Sequence, residues 1–352
     1  MQYIQDLQLE SCQRLAASHL LLPSLMMETL EGDELCFPQL LNASCRKPKS
    51  SQTEVVLFHF LSFISFLTAA LNLLVIIAIS HFRQLHTTTN LILLSLAVSD
   101  FLVGLVVIPV EMISISNCWF LGDIMCGVYY LLPFVIIYAS VTSMVLISID
   151  RYVAICYPLH YHTRVTLKTV RISVSLCWVY SLFVCIFILY DHLKQPDKYK
   201  SCYGECVANI AGDVDLVLSF ILPISIIITL YLRVFSVAIS QARAMRSHIA
   251  VVMPMRSQTV TAKRSEIKAA RTLGIVVAVF LMCYCPYYCV SLTGGKMLIG
   301  TSTENLMIFL VYFNSCLNPV IYAFFYPWFR KAVRQIVTLQ VTHRGSCNAN
   351  IL

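Results

Sequence analysis

Seven runs of about twenty predominantly apolar residues recur along this chain, at 55–80, 91–115, 125–155, 170–190, 214–239, 269–292 and 305–325. Each is long enough to cross about 30 Å of hydrocarbon at about 1.5 Å per helical residue. Lipid offers no partner to backbone N–H and C=O groups, so apolar runs of this length fold as helices that pair those groups internally. Composition agrees: 58% of residues are hydrophobic and 12% charged, half the ~25% charged share of a soluble domain. The expected fold is an all-α membrane protein. The third and fifth runs carry polar interruptions. Seven is odd, so the two ends of the chain lie on opposite faces of the bilayer.

Basic residues in short loops set the orientation. Arg83, Arg164, Lys168, Arg243, Arg246, Arg256, Lys263, Arg264, Lys268, Arg330, Lys331 and Arg334 fall on one side. The other side has Lys194, Lys198, Lys200 and Lys296 in its loops, beside Arg46, Lys47 and Lys49 before the first run. The first side is therefore cytoplasmic and the segment before the first run extracellular. This asymmetry accounts for the net charge of +7, and nothing points to a nucleic-acid partner. The chain divides into an extracellular segment, 1–54, a spanning domain, 55–326, and a cytoplasmic part, 327–352, that opens as a short amphipathic helix.

Asn42-Ala43-Ser44 is a glycosylation sequon on the extracellular side. Of fifteen cysteines, Cys12, Cys36, Cys45, Cys118, Cys126, Cys202 and Cys206 fall on that oxidising side, where disulfides persist. The first run is too long and too internal for a cleaved signal peptide. Residues 1–26 differ in character from the rest, with Met26 or Met27 an alternative start. A secondary transporter would show inverted repeats with helices broken at matched places. A membrane enzyme would show a clustered nucleophile and base, or a metal-ligand set. Neither pattern is present, so the chain reads as a non-enzyme that requires no cofactor.

Short polar patterns sit at one place in each run: Asn72, "LSLAVSD" ending at Asp100, "DRY" at Asp150-Arg151-Tyr152, Trp178, Pro223, "FLMCYCP" from Phe280 to Pro286, and "NSCLNPVIY" ending at Tyr322. All of them in order make chance negligible. The chain resembles a rhodopsin-like (class A) G-protein-coupled receptor, a seven-helix bundle. "NSCLNPVIYAFFYPWF", "SEIKAARTLGIVV" and "HFRQLHTTTN" are similar to trace amine-associated receptors in particular. The resemblance implies a small-molecule amine ligand, a heterotrimeric G protein of the stimulatory, olfactory type, and a plasma-membrane location, extending to olfactory cilia. A non-olfactory monoamine receptor, of the serotonin or dopamine type, is the alternative.

The same resemblance implies roles by position. Asp150, Arg151, Tyr231, Glu266, Phe280, Tyr284 and Tyr322 fall on the switch and coupling positions. Glu266 would restrain Arg151, or be one solvated charge in a basic loop. Asp100, Ser140, Asn314 and Asn318 match the family's sodium site, with a water-filled hydrogen-bond network as the alternative. Cys126 would join Cys206. Cys202 would be tied to the N-terminal segment, at Cys45 rather than Cys36.

The ligand site departs from the pattern. Amine receptors place an aspartate seven residues after the disulfide cysteine of the third helix, and here that position is Pro133. Proline lacks a backbone N–H and should kink or unwind the helix there. The acid that replaces it is Asp215, eight residues before Pro223 and so on the same helical face. One fish-associated group of the family carries its acid in that place. Asp213 points about 200° away on a 3.6-residue helix and is assigned to the loop. Phe134, Tyr138, Tyr287, Tyr288 and Tyr312 should supply aromatic walls, whose faces attract cations. Tyr284 stands where the family usually has tryptophan. Glu111, two residues after Pro109, is a second acid near the pocket mouth, placed either to bind a second amine or to face the headgroups.

Overall fold

The structure is a computed structural model; it describes residues 35–40, 43–47, 52–116, 118–195, 202–208, 212–249, 274–289, 301–343 and 345–351. Asn42 and Glu266, and the side chain of Asp213, lie outside the described residues.

Seven long helices make up the larger of two units: α1 Gln52–His81, α2 Thr88–Ser116, α3 Gly122–Cys156, α4 Leu167–Ile188, α5 Gly212–Ile249, α6 Gly274–Cys289 and α7 Thr301–Phe325. Six of them are long and apolar enough to cross a membrane, and the described part of α6 is shorter. The chain is a multi-pass membrane protein. No named strand occurs among the described residues.

Helices α2, α3, α4 and α7 begin about three residues before the apolar runs do. The starts of α2 and α4 are polar, and caps hold them. Thr87 accepts from the Asn90 N–H at 3.3 Å and Thr166 from the Thr169 N–H at 3.2 Å, each satisfying one orphan donor of a helix start. Pro133 neither breaks nor unwinds α3, which runs unbroken through it. That corrects the expected local unwinding: proline removes one ladder bond, and the 35-residue helix retains its turns on either side.

Two helices contain a π turn. Val103–Val107 interrupts α2 between Thr88–Leu102 and Ile108–Ser116. Leu216–Ile221 interrupts α5 between Gly212–Asp215 and Leu222–Ile249. One inserted residue rotates the remainder of the helix by about 100° relative to an unbroken one. At the first of these turns Gly104 lies against α1, and the Ser65 hydroxyl donates to its carbonyl at 2.6 Å.

Polar groups stitch the core between helices. Asn72 Nδ2 donates to the Ser315 carbonyl at 2.9 Å, and Trp178 Nε1 to Ser95 Oγ at 3.1 Å. After α7 comes α8, Pro327–Val337. It buries Trp328, Phe329 and Ala332 and leaves Arg330 and Lys331 exposed, so one face is apolar and the other basic. Cys126 is bonded to Cys206, which fixes the connection between α4 and α5 to the start of α3.

The smaller unit consists of the N-terminal segment to Lys47 with Cys202–Gly204. Its residues are joined by the Cys45–Cys202 disulfide and by short bridges pairing Leu35 with Arg46 and Ser44 with Tyr203. Gly204 adopts φ +107, and a Cβ there would meet Cys36 at 2.8 Å; only glycine fits this turn.

Candidate functional site

A cavity of about 330 Å³ opens within the bundle, lined by α2, α3, α5, α6 and α7. Its wall contains all seven residues singled out for ligand contact: Glu111, Phe134, Tyr138, Asp215, Tyr287, Tyr288 and Tyr312. Pro133 and Tyr130 line it too. The Tyr130 hydroxyl donates to the Cys206 carbonyl at 3.1 Å, tying the cavity's rim to the disulfide-anchored loop.

Asp215 is held by α3. The Tyr138 hydroxyl donates to its Oδ1 at 2.8 Å. Ser219, on the following π turn, donates to the Asp215 carbonyl at 2.6 Å and meets the Tyr288 hydroxyl at 2.7 Å. Tyr288 stacks on Phe220 with centroids 4.4 Å apart and meets Tyr287 edge-on at 5.0 Å. The acid therefore sits in an aromatic frame built by three helices. Among the described residues no basic side chain lines the cavity, so the acid meets no cationic partner there.

Glu111 occupies the α2 and α7 side. It accepts from Tyr129 at 2.6 Å on Oε2 and from Tyr312 at 3.1 Å on Oε1. Sequence reasoning missed Tyr129 and Ser219. The signal for Tyr129 was its place one turn before Pro133 on the same face of α3. The signal for Ser219 was its place four residues after Asp215, on the same helical face.

Below the cavity, Asp100 is fully buried. It accepts from Asn318 Nδ2 at 2.7 Å and Ser140 Oγ at 3.4 Å. Asn314 is also buried, and its Oδ1, like Asn318 Oδ1, has no partner among the described residues. Four oxygen-bearing side chains, one of them anionic, make a donor set that fits a hard monovalent cation. Phe280 and Tyr284 pack against each other at 4.3 Å.

Near the C-terminal end of α3, Arg151 pairs with Asp150 and Thr89. Thr89 and Tyr161 also donate to Asp150, at 2.9 and 2.8 Å. Tyr231 and Tyr322 are buried with hydroxyls unpartnered among the described residues. Around Tyr326, just past α7, burial pushes the phenol up to about 12, and the nearby Arg151 partly offsets the rise.

The bundle holds an acid-bearing cavity near one end and an Asp-Arg-Tyr cluster near the other, the arrangement of a membrane receptor. The sequence model described as 7 transmembrane receptor (rhodopsin family) matches residues 71–322. Trace amine-associated receptor 1 of Mus musculus is 34% identical over 316 residues, covering 86% of this chain and 94% of that one. Trace amine-associated receptor 13c of Danio rerio is 34% identical over 340 residues, covering 93% and 98%. Trace amine-associated receptor 7d of Rattus norvegicus is 34% identical over 336 residues, covering 90% and 92%. The chain belongs to the rhodopsin family of G-protein-coupled receptors, within its trace amine-associated branch; it is a receptor and not an enzyme.

Proposed function

We propose that this receptor is activated by cationic amines whose ammonium pairs with Asp215, and that it signals through a stimulatory, olfactory-type G protein at the plasma membrane of sensory cilia. One observation carries the reading. Asp215 lies in the wall of an aromatic cavity, oriented by Tyr138, while the third-helix position used by other amine receptors is Pro133. A carboxylate at this depth is costly without a cationic partner, and an ammonium supplies one. Phe134, Tyr287 and Tyr288 would add cation–π attraction, about 0.5–2 kcal/mol. The names of the relatives fit an amine ligand.

The same reading puts α8 along the cytoplasmic surface, with its basic face toward lipid headgroups, and the N-terminal segment outside, glycosylated at Asn42. Asp100, Ser140, Asn314 and Asn318 would hold a sodium ion that supplies the positive charge Asp100 lacks. Arg151 is held by Asp150 in this state and would be released to meet the G protein, with Tyr231 and Tyr322 approaching each other; Glu266 would restrain Arg151 further. Phe280 and Tyr284 would pass motion from the cavity to that end.

The test is a panel of amines, with chain-matched alcohols and carboxylic acids, applied to cells expressing the full chain with a cAMP readout. The reading expects responses to amines alone. A response to neutral or acidic compounds of equal potency would overturn it.

A further inference from the structure

We propose that Glu111 is a second cation site in the same cavity, so that the receptor's preferred ligands are flexible diamines with an amino group at each end. The inference rests on the assignment of Asp215 to an ammonium. Among the described residues the charged lining of the cavity consists of Glu111 and Asp215, with no arginine, lysine or histidine. They come from different helices, α2 and α5, and are held from α3 by different residues, Tyr129 and Tyr138. An acid kept in the membrane for structure alone pairs with a basic side chain or backbone; Glu111 is met by two phenols. Those donors orient the carboxylate, but they do not neutralise it, and each oxygen keeps a second acceptor position.

Two like charges facing one small apolar-walled space repel each other, and a single ammonium neutralises one of them. A ligand charged at both ends neutralises both. The rest of the wall includes apolar Pro133, Ile137 and Val311, and suits a polymethylene linker. The volume of about 330 Å³ is near the lower bound of ligand sites, about 300–1,000 Å³. That favours a slender acyclic molecule over a bulky ring system. Tyr129 and Tyr312 beside one acid, and Tyr138 and Tyr288 beside the other, present aromatic rings to both cationic ends.

The test compares diaminopropane through diaminooctane with the chain-matched monoamines, and with diaminopentane acetylated on one nitrogen. Full-length receptor is used, normalised for surface level, with cAMP as readout. In the unmodified receptor some diamine should exceed its matched monoamine and its acetylated form by at least about tenfold in potency, or about 1.4 kcal/mol. Glu111→Gln should remove that advantage while moving monoamine potency by less than about threefold; Glu111→Asp should keep part of it. Equal potency of diamines and monoamines in the unmodified receptor overturns the proposal without any variant. So does a Glu111→Gln effect equal on both classes. Failure of the underlying reading looks different: Asp215→Asn would then leave monoamine potency unchanged, while a Glu111→Gln loss confined to diamines would still mark Glu111 as a cation site.

Discussion

Gly104→Ala tests whether the π turn of α2 is packed against α1 as tightly as the geometry requires. An alanine Cβ at this position would lie 2.6 Å from the Ala69 backbone nitrogen, 2.9 Å from the Ser65 carbonyl oxygen and 2.9 Å from Thr68 Cβ. Two of these three atoms belong to the backbone of α1 and cannot swing aside, so the helices must separate. Overpacking of this kind costs about 1–3 kcal/mol. Separation also weakens the Ser65–Gly104 hydrogen bond, worth about 0.5–1.5 kcal/mol. The sum is roughly 1.5–4.5 kcal/mol. At about 2–4 °C per kcal/mol, the melting midpoint of detergent-solubilised receptor should fall by roughly 3–18 °C. Gly274→Ala in α6 is the control. Its Cβ would meet Phe235 Cζ at 3.4 Å, an ordinary contact, so the midpoint should stay near that of the unmodified receptor. Equal midpoints for the two variants would refute the reasoning.

The remaining contacts set further outcomes. Cys126→Ser and Cys206→Ser should each remove most surface expression, and Cys45→Ser should match Cys202→Ser in phenotype; flow cytometry of tagged receptor checks both pairs, and normal display of either Cys126→Ser or Cys206→Ser contradicts the loop's anchoring role. Asp150→Asn should raise ligand-independent cAMP, because it weakens charge-assisted bonds worth about 1.5–3 kcal/mol each; unchanged basal signal at equal surface level would exclude the Asp150–Arg151 pair as a restraint. His192 is 1% exposed, and burial holds its imidazole below the usual 6.5. The folded protein then binds fewer protons than the unfolded chain just below pH 6.5, so stability is full above that pH and declines as pH falls through it. The melting midpoint should drop on acidification across this window, and His192→Leu should flatten the slope; an unaltered slope would remove His192 as its source.

The apolar runs made the helices legible because a lipid-facing helix needs only length and composition to be recognised. Their ends were less so. Thr87 and Thr166 extend α2 and α4 into polar sequence through single capping bonds, a local effect that hydropathy does not carry. Asp215 and Tyr138 stood out because intramembrane acids are rare and because Pro133 took the usual acid's place. The pairing between them was not legible, since it joins residues 77 apart in sequence. The π turns were hidden for a different reason: each depends on one extra residue per turn, which leaves the apolar pattern intact. The unwinding expected at Pro133 does not occur, because a long helix tolerates a single missing ladder bond.

The most direct test of the account is the amine potency of Asp215→Asn at matched surface expression. Removing one partner of a buried charge pair costs about 2–5 kcal/mol, and about 1.4 kcal/mol is tenfold in affinity. The account predicts an EC50 raised roughly ten- to several-thousand-fold, with part of the response kept in Asp215→Glu. An Asp215→Asn receptor that reaches the surface and responds to amines at the original potency would contradict it.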